Sequence, residues 1–149
     1  MRELSAVVLL VVLGTVACGR NQQVPRTAEA LCSPSYEPQE LVVRGPLYVA
    51  LPSASERTPP EARTADAAAI RNVAAAACGL PEPPSNVACT AEMGPGFELE
   101  FRDARGRTTT VTAAGYGCQF VEGLGPRRFD ARPLWAALAA AGLPAPPSR

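Results

Sequence analysis

The chain contains no histidine and no lysine. Without histidine there is no Ser-His or Cys-His nucleophile pair and no imidazole-ligated metal. Without lysine there is no Ser-Lys dyad and no Schiff base. No glycine-rich phosphate loop is present either, since Gly106 and Gly115-Tyr116-Gly117 lack the strand-loop-helix context and the lysine of a P-loop. All 14 positive charges are arginine, set against 14 acidic residues and dispersed without a basic block, so nucleic acid is not an expected partner. The inventory points away from an enzyme and calls for no cofactor or metal. Long apolar runs are equally scarce. The one clear run, Ala6 to Leu13, falls short of the roughly 20 residues that a spanning helix needs, and it fits the apolar region of a secretory signal.

Five cysteines are present: Cys18, Cys32, Cys78, Cys89 and Cys118. An odd count in an exported chain leaves one thiol over. The segment Thr15-Val16-Ala17-Cys18 follows the apolar run and resembles a bacterial lipobox, although Thr15 stands where leucine is usual. The resemblance implies cleavage before Cys18 and attachment of a diacylglyceryl group to its thiol. The alternative is free secretion after a cut behind Ala17. If Cys18 carries lipid, the remaining four cysteines can form two bridges in an oxidising compartment. Three pairings are possible. Cys89 precedes and Cys118 follows an expected hairpin, which favours Cys89–Cys118 and leaves Cys32 for Cys78. A four-cysteine metal site is the rival reading, but it lacks a knuckle of closely spaced cysteines.

These signals divide the chain into a signal peptide at 1–17, a flexible tether at 18–30, one domain at 31–143 and a disordered tail at 144–149. The domain is expected to be α+β: an antiparallel sheet of three or four strands, two helices on one face, stapled by disulfides. Leu41 to Leu51 reads as a strand interrupted by Gly45-Pro46, hence an edge strand or two short strands. Thr58-Pro59-Pro60-Glu61 matches a capping box for a helix with Ile70, Val73, Ala74, Ala77 and Cys78 on its apolar face, closed by Gly79 in left-handed geometry. Strict alternation from Phe97 to Arg102 and the β-branched run Arg107 to Ala113 read as a hairpin around Asp103-Ala104-Arg105-Gly106. Cys118 to Val121 adds a short strand. Asp130 and Pro133 open a final helix whose stripe is Leu134, Trp135, Leu138 and Ala141.

Two family resemblances follow from these residues. Cys89, Glu92, Gly94, Phe97, Leu99, Phe101, Gly106, Val111 and Gly117-Cys118 form a pattern similar to a family of secreted proteins and lipoproteins of actinobacteria, a group that brings a fold but no activity. The abundance of Ala, Pro, Gly and Arg agrees with a GC-rich genome. The loop Thr90 to Pro95 behind Cys89 resembles the reactive loop of the Streptomyces subtilisin-inhibitor family, which implies that Ala91-Glu92 is the presented peptide bond. In that comparison Cys32 lies farther from Cys78 than the family has it, and Gly94 would loosen the loop. The expectation is therefore an exported lipoprotein on the outer face of the cell membrane. It would act by binding an envelope or extracellular protein, with protease inhibition as the alternative.

Other candidates carry plain readings beside the chemical ones. Glu98 and Glu100 share a strand face, as a hydrolytic carboxylate pair would, but also as any solvated face does. Arg105, Arg107, Arg127 and Arg128 could gather into an anion site or lie scattered. Tyr116 between two glycines could be a recognition residue or a packed aromatic.

Overall fold

The computed structural model describes residues 31–48 and 59–147. Cys18, the signal segment and the tether lie outside the described residues. The described chain runs β1 (Pro38–Leu47), β2 (Glu61–Thr64), α1 (Ala67–Cys78), β3 (Gly96–Asp103), β4 (Thr108–Ala114), β5 (Val121–Glu122) and α2 (Arg132–Ala140). The strands form one antiparallel sheet in the order β2-β1-β3-β4-β5. The α+β class holds, but the sheet has five strands rather than three or four.

The extra strand comes from Glu61-Ala62-Arg63-Thr64. This segment has no apolar alternation, and its place in the capping-box pattern suggested the first turn of a helix. It pairs instead with Leu41–Arg44 of β1. The helix begins only at Ala67, where Asp66 accepts hydrogen bonds from the Ala68 and Ala69 amides at 2.7 and 3.0 Å. Gly79 ends it with φ −80°, ordinary right-handed geometry, correcting the left-handed cap expected there. β1 is also corrected. It is an interior strand, not an edge, because its proline falls where the register shifts between Arg44 and Leu47 and no ladder amide is required. The Gly45–Pro46 bond is cis, and the Gly45 amide donates to the Pro60 carbonyl at 3.0 Å.

One face of the sheet carries the core. Leu41 and Val43 of β1, Phe97, Leu99 and Phe101 of β3, and Val111 and Ala113 of β4 pack in a single cluster with Ile70, Val73 and Ala77 of α1 and Leu134, Trp135 and Leu138 of α2. Both helices thus cover the same face. Tyr36 closes one end and donates its hydroxyl to the Phe101 carbonyl at 3.0 Å. The β3–β4 turn is clasped by Asp103, which accepts from the Arg105 and Arg107 amides at 2.9 Å each. Of the segment expected to be a disordered tail, Ala145 packs against the core.

Two disulfides, Cys32–Cys78 and Cys89–Cys118, staple this body. They pin the entry of the chain to the end of α1 and the loop before β3 to the loop after β4. Such bridges fit an oxidising, extracellular compartment. They also leave none of these four thiols for a metal. Among the described residues no helix is long and apolar enough to cross a membrane.

Candidate functional site

The opposite face of the sheet is polar, because the period-two alternation that turns Phe97, Leu99 and Phe101 inward turns Glu98, Glu100 and Arg102 outward. Arg44 on β1 stands between the two carboxylates. Its Nη1 donates to Glu98 Oε1 at 2.9 Å and to Glu100 Oε2 at 2.8 Å, and its Nε reaches Glu61 Oε2 at 2.9 Å. Arg102 pairs with Glu100 and, at 3.0 Å, with Glu40, while Arg63 pairs with Glu61. The Arg44 and Arg102 guanidiniums hold the Glu100 carboxyl below the usual carboxylate range, and Glu100 and Glu98 in turn raise Arg44. A general acid needs a carboxyl kept protonated near neutrality. This environment moves Glu100 the other way. Arg44, absent from the sequence-level candidates, was detectable in principle: it occupies the polar face of a strand beside a Glu-x-Glu strand.

The four arginines do not gather. Arg107 pairs with Asp103 and lies over the Tyr36 ring, 5.8 Å from its centroid. Arg127 pairs with Glu122 and lies 5.0 Å from the Phe120 ring centroid. Arg128 turns to the Leu80 carbonyl at 3.3 Å, and Arg105 sits in the exposed β3–β4 turn.

A groove of about 460 Å³ opens instead at the corner where the β3–β4–β5 end of the sheet meets the Cys89–Cys118 bridge. Its volume falls within the ~300–1,000 Å³ typical of small-molecule sites. The walls are mostly apolar, with Leu47, Phe97, Phe120 and Tyr116 among them. Tyr116 is half-buried and is placed by two features. The Gly94 backbone comes close enough that a Cβ there would sit 2.9 Å from the Tyr116 Cβ, and the Gly115 amide donates to the Pro95 carbonyl at 2.9 Å. Packing and an open groove side therefore coexist at this tyrosine. The polar rim is Thr90, Thr112 and the pair Glu122–Arg127, joined at 2.7 Å.

Gly117 and Cys118 also line a second hollow of about 300 Å³ on the other side, with Gln119, Asp130 and Arg132. Gln119 and Asp130 both hold left-handed backbone, φ 49° and 58°. Each is tied down locally. Gln119 Oε1 accepts from Trp135 Nε1 at 3.2 Å, and Asp130 Oδ1 accepts from Arg132 Nε at 2.6 Å. Gln119 was not identified from sequence; Asp130 was expected to open the final helix, but that helix begins at Arg132 with Ala131 at its cap and no side-chain cap bond.

The loop Thr90 to Met93, which includes Ala91 and Glu92, is exposed, and Met93 keeps 78% of its surface in solvent. The Cys89 bridge anchors one end and the Pro95 carbonyl the other. Among the described residues no cluster of three or more cysteine or acidic side chains is arranged to hold a metal ion. Compared with protein-family models, curated proteins and solved structures, the chain matches none.

Proposed function

We propose that this protein is an exported cell-envelope lipoprotein, attached to the membrane surface through Cys18, whose domain is a non-catalytic binding module that uses the groove between the Cys89–Cys118 bridge and the β3–β4–β5 corner. The groove carries the reading: it is concave, mostly apolar, rimmed by a few polar groups and backed by a covalent staple, the features of a pre-formed site. The two bridges support export, and pairing of the four other cysteines leaves Cys18 as the odd thiol.

A photo-crosslinker placed at Tyr116 in the full-length chain, expressed in a lipoprotein-processing host, tests the site. A discrete adduct from Tyr116, missing when the crosslinker replaces Arg71 on exposed α1, is the expected result. Equal or absent adducts would reject the groove. Anchoring is tested by labelling with an alkyne fatty acid, which Cys18→Ala should abolish together with membrane retention.

The second reading, protease inhibition through Ala91-Glu92, is favoured by one observation: Thr90 to Met93 is exposed behind a disulfide cysteine. Titration of subtilisin with micromolar protein tests it, and undiminished proteolysis rejects it.

A further inference from the structure

We infer that the ligand of this groove is a neutral saccharide, an inference that rests on the binding-module reading above. The first argument is charge. Among the described residues Glu122 and Arg127 are the only carboxylate and guanidinium on the rim, and they neutralise each other at 2.7 Å. A phosphate or other anion would have to compete with Glu122 for Arg127, and a cation with Arg127 for Glu122. A ligand made of neutral hydroxyls competes with neither. It can accept from the guanidinium and donate to the carboxylate, both of which remain about half exposed.

The second argument is the hydrogen-bonding inventory. Tyr116, Thr90 and Thr112 are among the groove's lining residues, and among the described residues no hydrogen bond engages their hydroxyls. Each can donate and accept, which is the capacity that vicinal sugar hydroxyls match. The third is the aromatic wall. The negative face of an aromatic ring attracts the polarised C–H groups of a pyranose as it attracts other positive edges. Tyr116 is half-buried and braced by Gly94, so little side-chain freedom remains to be lost on binding.

An extended peptide is the competing occupant, and its simplest mode is addition of a strand to an open sheet edge. That edge is taken here. β5 pairs with Thr112 and Ala113, and the chain then runs so close to β4 that a Cβ on Gly123 would lie 2.3 Å from the Thr110 carbonyl oxygen. β5 is the outer strand on this side, only two residues long, and its Val121 is itself bridged to Arg128; the other outer strand, β2, is at the far side of the sheet.

The full-length oxidised chain in detergent micelles is titrated with cellobiose, N,N′-diacetylchitobiose and maltose, followed by calorimetry and by the NMR signals of the groove. At least one should bind saturably, with a Kd of about 1 mM or tighter. Tyr116→Ala should weaken it about tenfold or more. Tyr116→Phe should retain the larger part, and Arg71→Ala should leave it unchanged. Near-UV circular dichroism from Trp135 checks that each variant is folded. No saturable binding of any of the three overturns the inference, as does binding that survives Tyr116→Ala, or capture of a peptide library through the groove in place of the sugars. The two readings fail separately: a Tyr116 adduct with no sugar binding removes the saccharide and keeps the module, whereas loss of both removes the groove.

Discussion

Phe97 on β3 and Trp135 on α2 meet with ring centroids 5.3 Å apart and planes inclined at 54°. The tilted arrangement is the one aromatic quadrupoles favour. It joins the sheet to the second helix, whose other buried positions are Leu134 and Leu138. The helix has no side-chain cap at its N-terminus, so packing rather than capping fixes it. Trp135→Ala should therefore cost about 3–5 kcal/mol, lowering the melting temperature by roughly 10–20 °C. It also releases the Gln119 amide oxygen, which Trp135 Nε1 holds at 3.2 Å. An unchanged melt would mean that α2 is not docked through this pair.

The glycines separate by what surrounds them. Gly123 has φ 96°, and a Cβ there would meet a backbone oxygen at 2.3 Å, while Gly106 has φ 75° and open space. Gly106→Ala pays only for left-handed backbone, about 1 kcal/mol. Gly123→Ala pays for that and for pushing β5 off β4, at least about 3 kcal/mol together. Chemical denaturation of both variants checks the ordering, and equal losses would contradict the close approach of β5.

Stability should be flat around neutral pH and fall in acid. There is no histidine to titrate near pH 6–7. Glu61 is held low by Arg63 and Arg44, Asp66 by the Ala69 and Ala68 amides, Glu100 by Arg44 and Arg102, and Asp130 by Arg132. Burial works against ionisation of Asp103, yet Arg107 and its amide contacts leave it low as well. A carboxyl whose folded pKa lies below its unfolded value stabilises the protein fully above the unfolded value, near 4, and loses that contribution as pH falls through the folded one. Melting temperatures should hold from pH 8 to about 5 and drop below about 4. Arg44→Ala should raise the Glu100 pKa in a carboxyl NMR titration, and an unmoved Glu100 would show that Arg44 does not hold it.

Much of this fold was legible because apolar patterning and cysteine logic are strong signals. Phe97, Leu99 and Phe101 alternate, Ile70, Val73 and Ala77 share a helix face, and the hairpin between Cys89 and Cys118 brings those two together. What escaped was structure decided by tertiary pairing. Glu61 to Thr64 has no hydrophobic pattern, and only β1 makes it a strand. β1 is interior despite Pro46 because a register shift absorbs the missing amide. The groove was half-visible. Tyr116 stood out between two glycines, but Thr90, Thr112, Phe120 and the Glu122–Arg127 pair are brought beside it by the turn after β4 and by the bridge, which no local spacing encodes. The left-handed conformations of Gln119 and Asp130 were invisible for the same reason.

The two bridges should differ in what they protect more than in how much. Loop closure predicts a loss of about 4 kcal/mol for a Cys32→Ser/Cys78→Ser double variant and about 3.5 kcal/mol for Cys89→Ser/Cys118→Ser, the separations being 46 and 29 residues. Those costs are nearly equal. Their locations are not. Cys32–Cys78 lies at the end of α1, away from the groove, whereas Cys89 and Cys118 form part of the groove wall and Gly117-Cys118 separates it from the second hollow. Removing the second bridge frees Thr90 and the Tyr116 turn from each other while β3 and β4 stay paired. Hydrogen exchange should then accelerate at residues 87–95 and 115–120 in Cys89→Ser/Cys118→Ser at temperatures well below its melt. In Cys32→Ser/Cys78→Ser the same amides should keep their protection and the change should fall near Leu31 and the last turn of α1. If both variants loosened the groove alike, the bridge would be stapling the whole fold rather than the wall of a site.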